Sequence, residues 1–131
     1  MSERQPYARD LVVAYIEALD ARNWAHLAEL LADDAVYEIP QTGEVVRGRD
    51  AVVRFNREYP GDWQLTIRDA YGDASGGAVH FGFRVDGDEL NAVAFLRFDA
   101  DGRIGRITDY WPEPYEPPPG REHLVERPEP A

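Results

Sequence analysis

The spacing of apolar and polar residues divides the chain into a helical first part and a β-rich second part. In residues 7–22 apolar side chains recur every three or four positions, which predicts an amphipathic helix. A shorter second helix is predicted after Asn23, a residue type that caps helix N-termini, and a third helix over residues 51–59. Each helix therefore has one apolar face that must pack against another element.

Alternation of apolar and polar residues predicts strands in the rest of the chain. Two short strands, 36–39 and 44–47, lie between the second and third helices, and four longer strands follow at 63–71, 78–85, 90–98 and 104–111. Asp86-Gly87, between two of the longer strands, is typical of a two-residue hairpin turn. Helices followed by a run of strands indicate an α+β fold, in which three N-terminal helices pack on a curved antiparallel sheet.

A sheet that curls around the helices would enclose a cone-shaped apolar space, lined by the inward residues of each element. Ala92 and Ala94 are small for a core-facing strand, so they are expected to leave volume for a ligand. This space is expected to bind a hydrophobic small molecule. The residues expected to line it are Trp24, Phe55, Trp63, Leu65, Ile67, Val79, Phe81, Ala92, Ala94, Ile107 and Trp111.

One carboxylate interrupts the apolar face of the last strand. Alternation places Asp109 between Ile107 and Trp111, and it places Ile104 on the opposite face with Arg106. An ionised Asp among apolar groups is costly unless it is paired or its pKa rises. A strand end that reaches water, a structural ion pair and a catalytic acid or base would each explain Asp109.

Charge and composition restrict the partners. The net charge of −11 argues against nucleic acid, because a phosphate backbone requires a basic surface. The chain has no cysteine, which excludes disulfides and thiolate metal sites, and its three histidines lack metal-ligand spacing. We therefore expect neither a metal nor another cofactor. No apolar run approaches the about 18 residues of a membrane span, so a cytoplasmic protein without a membrane partner is expected.

The end of the chain and the outer face of the sheet bear on assembly. Residues 1–111 form the predicted domain, and 112–131 a Pro-rich arm that belongs to the same domain. The outer face carries Val93 and Phe95 at its centre, with arginines and Tyr110 around them. This arrangement is typical of a partner surface and predicts a homodimer packed through the sheets. A monomer is the alternative if the arm covers this face.

Five segments, taken in order, carry a resemblance to known proteins. They are Tyr-Ile-Glu-Ala-Leu-Asp at 15–20, Leu-Ala-Asp-Asp-Ala at 31–35, Gly-Arg-Asp-Ala-Val at 48–52, Phe-Asp-Ala-Asp-Gly-Arg-Ile at 98–104, and Tyr110-Trp111. With them the chain resembles the NTF2-like superfamily, in particular its SnoaL-like polyketide cyclase and ketosteroid isomerase branch. The resemblance implies a cone-shaped, cystatin-like α+β fold, and it leaves the activity open because the superfamily hosts many activities.

The resemblance also implies roles for particular residues. Steroid isomerases have an oxyanion-stabilising Tyr on the first helix, which Tyr15 matches, but Ile39 stands at the position of their general base. Their second acid falls at Ala94 or close by, so this acid is absent as well. SnoaL-like cyclases and limonene-epoxide-hydrolase-like enzymes have an Asp in the last strand, which Asp109 matches. Tyr37 matches a Tyr of the hydrolases, whose remaining groups are not evident.

The resulting prediction is a cofactor-independent cyclase, isomerase or lyase for a hydrophobic carbonyl or polyketide-like compound. Asp109 would be its acid/base, with Tyr15 and Tyr37 as catalytic hydroxyls. Two alternatives stay open: an epoxide hydrolase in which Asp109 activates water, and a non-catalytic ligand-binding protein. His80 is expected outside the site, because alternation puts its side chain opposite that of Phe81.

Overall fold

The computed structural model of the protein describes residues 4–128, with side chains described from Ala8 onward. Within this range the elements follow one another in the predicted order. The helices are α1 (Arg4–Asp20), α2 (Trp24–Leu30) and α3 (Arg49–Arg57). The strands are β1 (Leu31–Ile39), β2 (Glu44–Arg47), β3 (Trp63–Asp73), β4 (Gly76–Val85), β5 (Asp88–Phe98) and β6 (Ile104–Tyr110). A 3-10 turn, Glu122–Leu124, lies in the otherwise irregular C-terminal arm.

β1 begins at Leu31, whereas alternation predicts a strand only over residues 36–39. Residues 32–35, which lie between the predicted second helix and the predicted strand, belong to this strand. Leu31 already has an extended backbone, with φ −94° and ψ 143°. Leu31 and Ala35 are both fully buried, while Asp33 and Asp34 between them are exposed. Packing against the core thus extends the strand through a pair of aspartates that would otherwise suit a solvated helix end.

The strands form one sheet in the order β2-β1-β6-β5-β4-β3. Neighbouring strands are antiparallel except β1 and β6, which run parallel. After β3, β4 and β5 the chain returns to the side of β1, where β6 pairs with it. These first and last long strands therefore run in the same direction. The predicted α+β cone fold is confirmed, and its sheet is mixed rather than wholly antiparallel.

Two of the three register shifts in the sheet bear on the predicted faces of strands. Arg97 pairs with Arg106 and Phe98 with Ile104, so Gly105 is an extra residue in β6. This bulge turns Ile104 into the core, where it is fully buried, and the expectation that it shares the outer face with Arg106 is wrong. A similar shift in β3, after Ile67, leaves Asp69 exposed.

The core lies between the helices and the sheet face that they cover. α1 contributes Val12, Tyr15 and Ile16, all at most 2% exposed. The N-terminus of α2 is capped as predicted, because the Asn23 side-chain oxygen accepts a hydrogen bond from the His26 amide at 3.2 Å. In the described part of the chain no helix has both the length and the apolar character needed to cross a membrane.

Candidate active site

β6 brings one carboxyl group into the apolar core. Asp109 is 5% exposed and is the only charged residue buried within the described part of the chain. Its Oδ2 atom accepts a hydrogen bond from the Tyr37 hydroxyl, while Oδ1 is buried without a hydrogen-bond partner among residues 4–128. Among the side chains from Ala8 onward that the structure describes, no basic group forms an ion pair with it. Neither a strand end in water nor a structural ion pair therefore explains Asp109.

The parallel pairing of β1 with β6 creates the contact between Tyr37 and Asp109. Tyr37 is the register partner of Ile107, and Asp109 lies two residues further along β6 on the same face. At this diagonal distance a long aromatic side chain reaches its neighbour on the adjacent strand. The sheet thereby joins two groups that are 72 positions apart in the sequence.

The electrostatics of the site follow from its burial. Burial raises the pKa of the Asp109 carboxyl to about 7, and the hydrogen bond from Tyr37 acts in the opposite direction. Burial also raises the pKa of the hydroxyls of Tyr15 and Tyr37 above their usual range, and the charge of Asp109 adds to this effect. At neutral pH the carboxyl can therefore gain or lose a proton, while both tyrosines stay protonated and can donate hydrogen bonds.

Asp109, Tyr15 and Tyr37 border one small cavity between the helices and the sheet, called the inner cavity below, with a volume of about 30 Å³. The structure therefore brings the three predicted catalytic residues together. Five of the residues predicted to line an apolar pocket also border this cavity: Phe55, Trp63, Leu65, Phe81 and Trp111.

The other residues predicted to line the pocket do not border the inner cavity. They are Trp24, Ile67, Val79, Ala92, Ala94 and Ile107. Ala92 and Ala94 are fully buried, and their register partners are Phe81, Val79 and Asp109. Two of these partners, Phe81 and Asp109, border the inner cavity, whereas the alanines themselves do not.

Four residues that border the inner cavity were missing from the predicted set: Leu19, Asn56, Tyr59 and Phe83. Phe83 alternates in phase with Phe81, and Leu19 lies one helical turn after Tyr15, so periodicity could have indicated both. No apolar pattern indicates Asn56, whose Nδ2 donates to the Val52 carbonyl at 2.9 Å. The alternation of apolar and polar residues along a helix predicts that a polar side chain such as that of Asn56 faces solvent.

Aromatic residues form one wall of the inner cavity, and residues that do not border the cavity contact them. Trp63 stacks on Phe83 with ring centroids 6.0 Å apart, and Phe83 meets Trp111 edge-on at 5.1 Å. The Arg22 guanidinium lies 3.5 Å from the Trp63 ring centroid. The Gln41 side chain donates to the Trp111 carbonyl at 3.0 Å and accepts from the Trp111 amide. These contacts hold the rings in place.

His80 lies outside the inner cavity, as alternation predicts. Its register partners are Asp69 on β3 and Val93 on β5, and its side chain alternates with the buried Phe81. Within residues 4–128 no group of three His, Asp or Glu side chains is placed so that it could hold a metal ion. The protein groups that can react at the cavity are one carboxyl and the tyrosine hydroxyls.

This chain is similar to a known domain family and to a known enzyme. A family model for the SnoaL-like domain matches residues 12–107. A steroid Delta-isomerase from Nocardioides simplex is 33% identical over 106 residues, which cover 76% of this chain and 85% of that protein.

Two solved structures are similar over nearly the whole chain. A Kribbella flavida protein provisionally named a ketosteroid isomerase has 47% identity and a TM-score of 0.90, covering 95% of this chain and 92% of that one. An NTF-2 like protein of unknown function from Burkholderia xenovorans has 23% identity and a TM-score of 0.78, covering 93% and 95%. The second likeness concerns the fold alone.

Proposed function

The chain belongs to the SnoaL-like domain family, within the NTF2-like superfamily, and from this premise we propose that it is a cofactor-independent isomerase of hydrophobic carbonyl compounds. The observation that carries the proposal is the unpartnered Oδ1 of Asp109, on a carboxyl of pKa about 7 beside an apolar cavity. A buried polar atom without a partner needs an explanation. Contact with a reacting substrate provides one.

In the proposed reaction the Tyr15 hydroxyl donates a hydrogen bond to the carbonyl oxygen of the substrate. Ionised Asp109 takes a proton from the carbon next to the carbonyl group, and the electron pair of that C–H bond moves into an enolate. Asp109 then returns the proton to the far carbon of the conjugated system, so the double bond moves and no atom is lost. Tyr37 positions the base by holding Oδ2, which leaves Oδ1 for the proton transfer.

The name of one relative and the position of Asp109 in the sheet favour isomerisation. The Nocardioides simplex relative, 33% identical, is named a steroid Delta-isomerase. The resemblance to steroid isomerases places their second acid at position 94, which is an alanine here. Ala94 is the direct register partner of Asp109, so the Asp109 carboxyl lies one strand away from the position of that acid. Ile39, at the expected position of the base, is 8% exposed and apolar. Asp109 is therefore the carboxyl available for the proton transfer.

Epoxide hydrolysis is a second candidate, and the size of the inner cavity favours it. A space of about 30 Å³ is large enough for an ordered water molecule beside Oδ1. In that reaction Asp109 would accept a proton from the water as its oxygen attacks an epoxide carbon. The C–O bond of the epoxide at that carbon breaks, and the released alkoxide oxygen takes up a proton to give a diol. Turnover of an apolar epoxide, without turnover of an unsaturated ketone, would select this function.

The test of the proposed isomerase is the conversion of β,γ-unsaturated ketones of increasing size into their conjugated isomers, followed by ultraviolet absorbance. Asp109→Asn keeps the shape of the side chain but cannot exchange a proton, so we expect kcat to fall by about 10²–10⁴-fold. Tyr15→Phe removes one hydrogen-bond donor to the developing oxyanion. It should raise the barrier by about 1–3 kcal/mol.

Asp69→Asn is the matched control, because Asp69 is an exposed carboxylate on β3 away from the inner cavity. Its activity should equal that of the wild type. Full activity of Asp109→Asn would end the catalytic assignment. Binding of these ketones without turnover by the wild type would select the non-catalytic alternative.

A further inference from the structure

Asn56 borders the inner cavity from α3, and the proposed isomerisation gives it no role. We propose that Asn56 is a specificity-determining residue whose Oδ1 atom accepts a hydrogen bond from a hydroxyl group of the substrate. The substrate is then a hydroxy ketone rather than a simple ketone. The position of the substrate carbonyl group at Tyr15 rests on the function proposed above, whereas the selection of a hydroxyl group by Asn56 does not.

The helix fixes the orientation of the Asn56 amide. Its Nδ2 atom donates to the Val52 carbonyl, one turn earlier on α3, at 2.9 Å. The reversed orientation would set two oxygen atoms against each other, because a carbonyl oxygen only accepts hydrogen bonds. Oδ1 makes no hydrogen bond within the part of the chain whose side chains are described, from Ala8 onward. Since the side chain borders the inner cavity, Oδ1 is an acceptor available to an occupant of that cavity.

The polar groups of the cavity do not match a simple ketone. In the proposed reaction the Tyr15 hydroxyl binds the carbonyl oxygen, and Asp109 takes a proton from a carbon atom. The Tyr37 hydroxyl is already used, because it donates to Asp109. A simple ketone has no hydrogen-bond donor for Asn56 Oδ1, so its binding removes water from this acceptor without replacing the hydrogen bond. A hydroxyl group on the substrate supplies the missing donor.

The size of the inner cavity limits where this hydroxyl group lies in the substrate. The volume of about 30 Å³ is close to the share of one molecule in liquid water. Side chains that border so small a space can contact the same few atoms of a substrate. Tyr15, Asp109 and Asn56 all border it. The hydroxyl group is therefore expected on a carbon close to the carbonyl group, as in an α- or β-hydroxy ketone.

The experiment measures the dissociation constants of cyclohexanone, 2-hydroxycyclohexanone and 3-hydroxycyclohexanone by titration, followed by NMR signals of the ligand. We expect a hydroxy ketone to bind the wild type about three- to tenfold more tightly than cyclohexanone, which is the usual gain from one hydrogen bond. Asn56→Leu removes the acceptor and keeps the approximate size of the side chain, so it should bind all three ketones about equally. Asn56→Ala should do the same and covers the case in which Asn56→Leu does not fold.

Arg57→Leu is the matched control, because Arg57 follows Asn56 on α3, is exposed and does not border the inner cavity. It should keep the preference of the wild type for the hydroxy ketone. A purely structural Asn56 would weaken all three ketones to the same degree in Asn56→Leu and leave the preference unchanged.

A preference that persists in folded Asn56→Leu would therefore overturn the proposal, as would a wild type without this preference or without saturable binding. The measurement needs binding and no turnover. A wild type that prefers the hydroxy ketone but isomerises no ketone would thus contradict the proposed function and leave the role of Asn56 standing. Circular dichroism of each variant shows that it is folded.

Discussion

At Asp109 the two oxygens of one carboxyl group have different surroundings. Oδ2 accepts a hydrogen bond from Tyr37, whereas Oδ1 is buried without a partner among the described residues. A single hydrogen bond does not compensate an ionised carboxylate for the loss of water, so burial raises the pKa to about 7. The same placement that makes Asp109 a useful base thus makes its charged form unfavourable for folding.

This conflict predicts a pH-dependent stability. The pKa of Asp109 is about 7 in the folded protein, against an ordinary value of 3.8, so the folded state binds the proton more tightly. The contribution of Asp109 to the unfolding free energy should be highest at acid pH, fall as pH rises from about 4 to 7, and level off above. Asp109→Asn removes this loss, so the variant should gain on the wild type with rising pH, by about 4 kcal/mol at most.

Urea denaturation of both proteins at about pH 5 and about pH 8 measures the difference. Because both proteins share all other titrating groups, their difference isolates Asp109. A stability difference that does not change with pH would contradict a raised pKa. A variant that is much less stable at every pH would indicate a structural role for the carboxylate.

At the scale of the elements, the position of Tyr15 depends on how closely α1 approaches β3. Gly72 on β3 lies so close to α1 that a Cβ atom there would stand 2.8 Å from the Arg9 amide nitrogen and 2.9 Å from the Ala8 carbonyl carbon. The Arg9 side chain also donates to the Ala70 carbonyl at 3.1 Å. These contacts hold the helix that carries Tyr15 and Leu19 against the sheet.

Gly72→Ala should therefore push α1 away from β3. Because backbone atoms cannot yield as a side chain does, we expect the unfolding free energy to fall by about 1–3 kcal/mol. Gly105→Ala is the control, since its nearest atoms would be 3.8 Å away, and it should stay within about 0.5 kcal/mol. Chemical denaturation of both variants decides the question, and equal stabilities would show that the close approach is not important.

At the scale of the whole molecule, the outer face of the sheet stays uncovered by the described part of the arm. Phe95 is 49% exposed and Tyr110 is 41% exposed, and their rings meet edge-on at 6.0 Å. Around them Arg106 pairs with Glu38 at 2.6 Å. The described part of the arm therefore does not take the place of a partner on this surface, and we propose that a second copy of the chain does.

Sedimentation velocity at micromolar concentration tests the homodimer. We expect the wild type to sediment as a dimer and Phe95→Asp as a monomer, because a charge at the centre of an apolar interface is left without a partner. Leu124→Asp, at a 74% exposed position in the arm, should remain dimeric. A wild type that sediments only as a species near its 14.8 kDa chain mass would reject the dimer.

The sequence by itself determined the order and type of the elements, because the period of apolar residues depends only on local geometry. β2 spans Glu44–Arg47, the bounds predicted for the short extended segment there. The predicted Asp86-Gly87 turn has φ values of 50° and 88°, which a two-residue hairpin requires. The apolar neighbours of Asp109 were likewise enough to mark it as an unusual carboxylate. These features follow from residues that are close together in the chain.

Only the tertiary structure decided how these parts combine into a site. The parallel pairing of β1 with β6 sets Tyr37 against Asp109, and the bulge at Gly105 returns Ile104 to the core. Asn56 on α3 borders the inner cavity, although the spacing of apolar residues in that helix did not indicate it. Each of these results depends on contacts between segments that are distant in the sequence, and on how tightly they pack. The spacing of apolar residues within one segment specifies neither these contacts nor the tightness of packing.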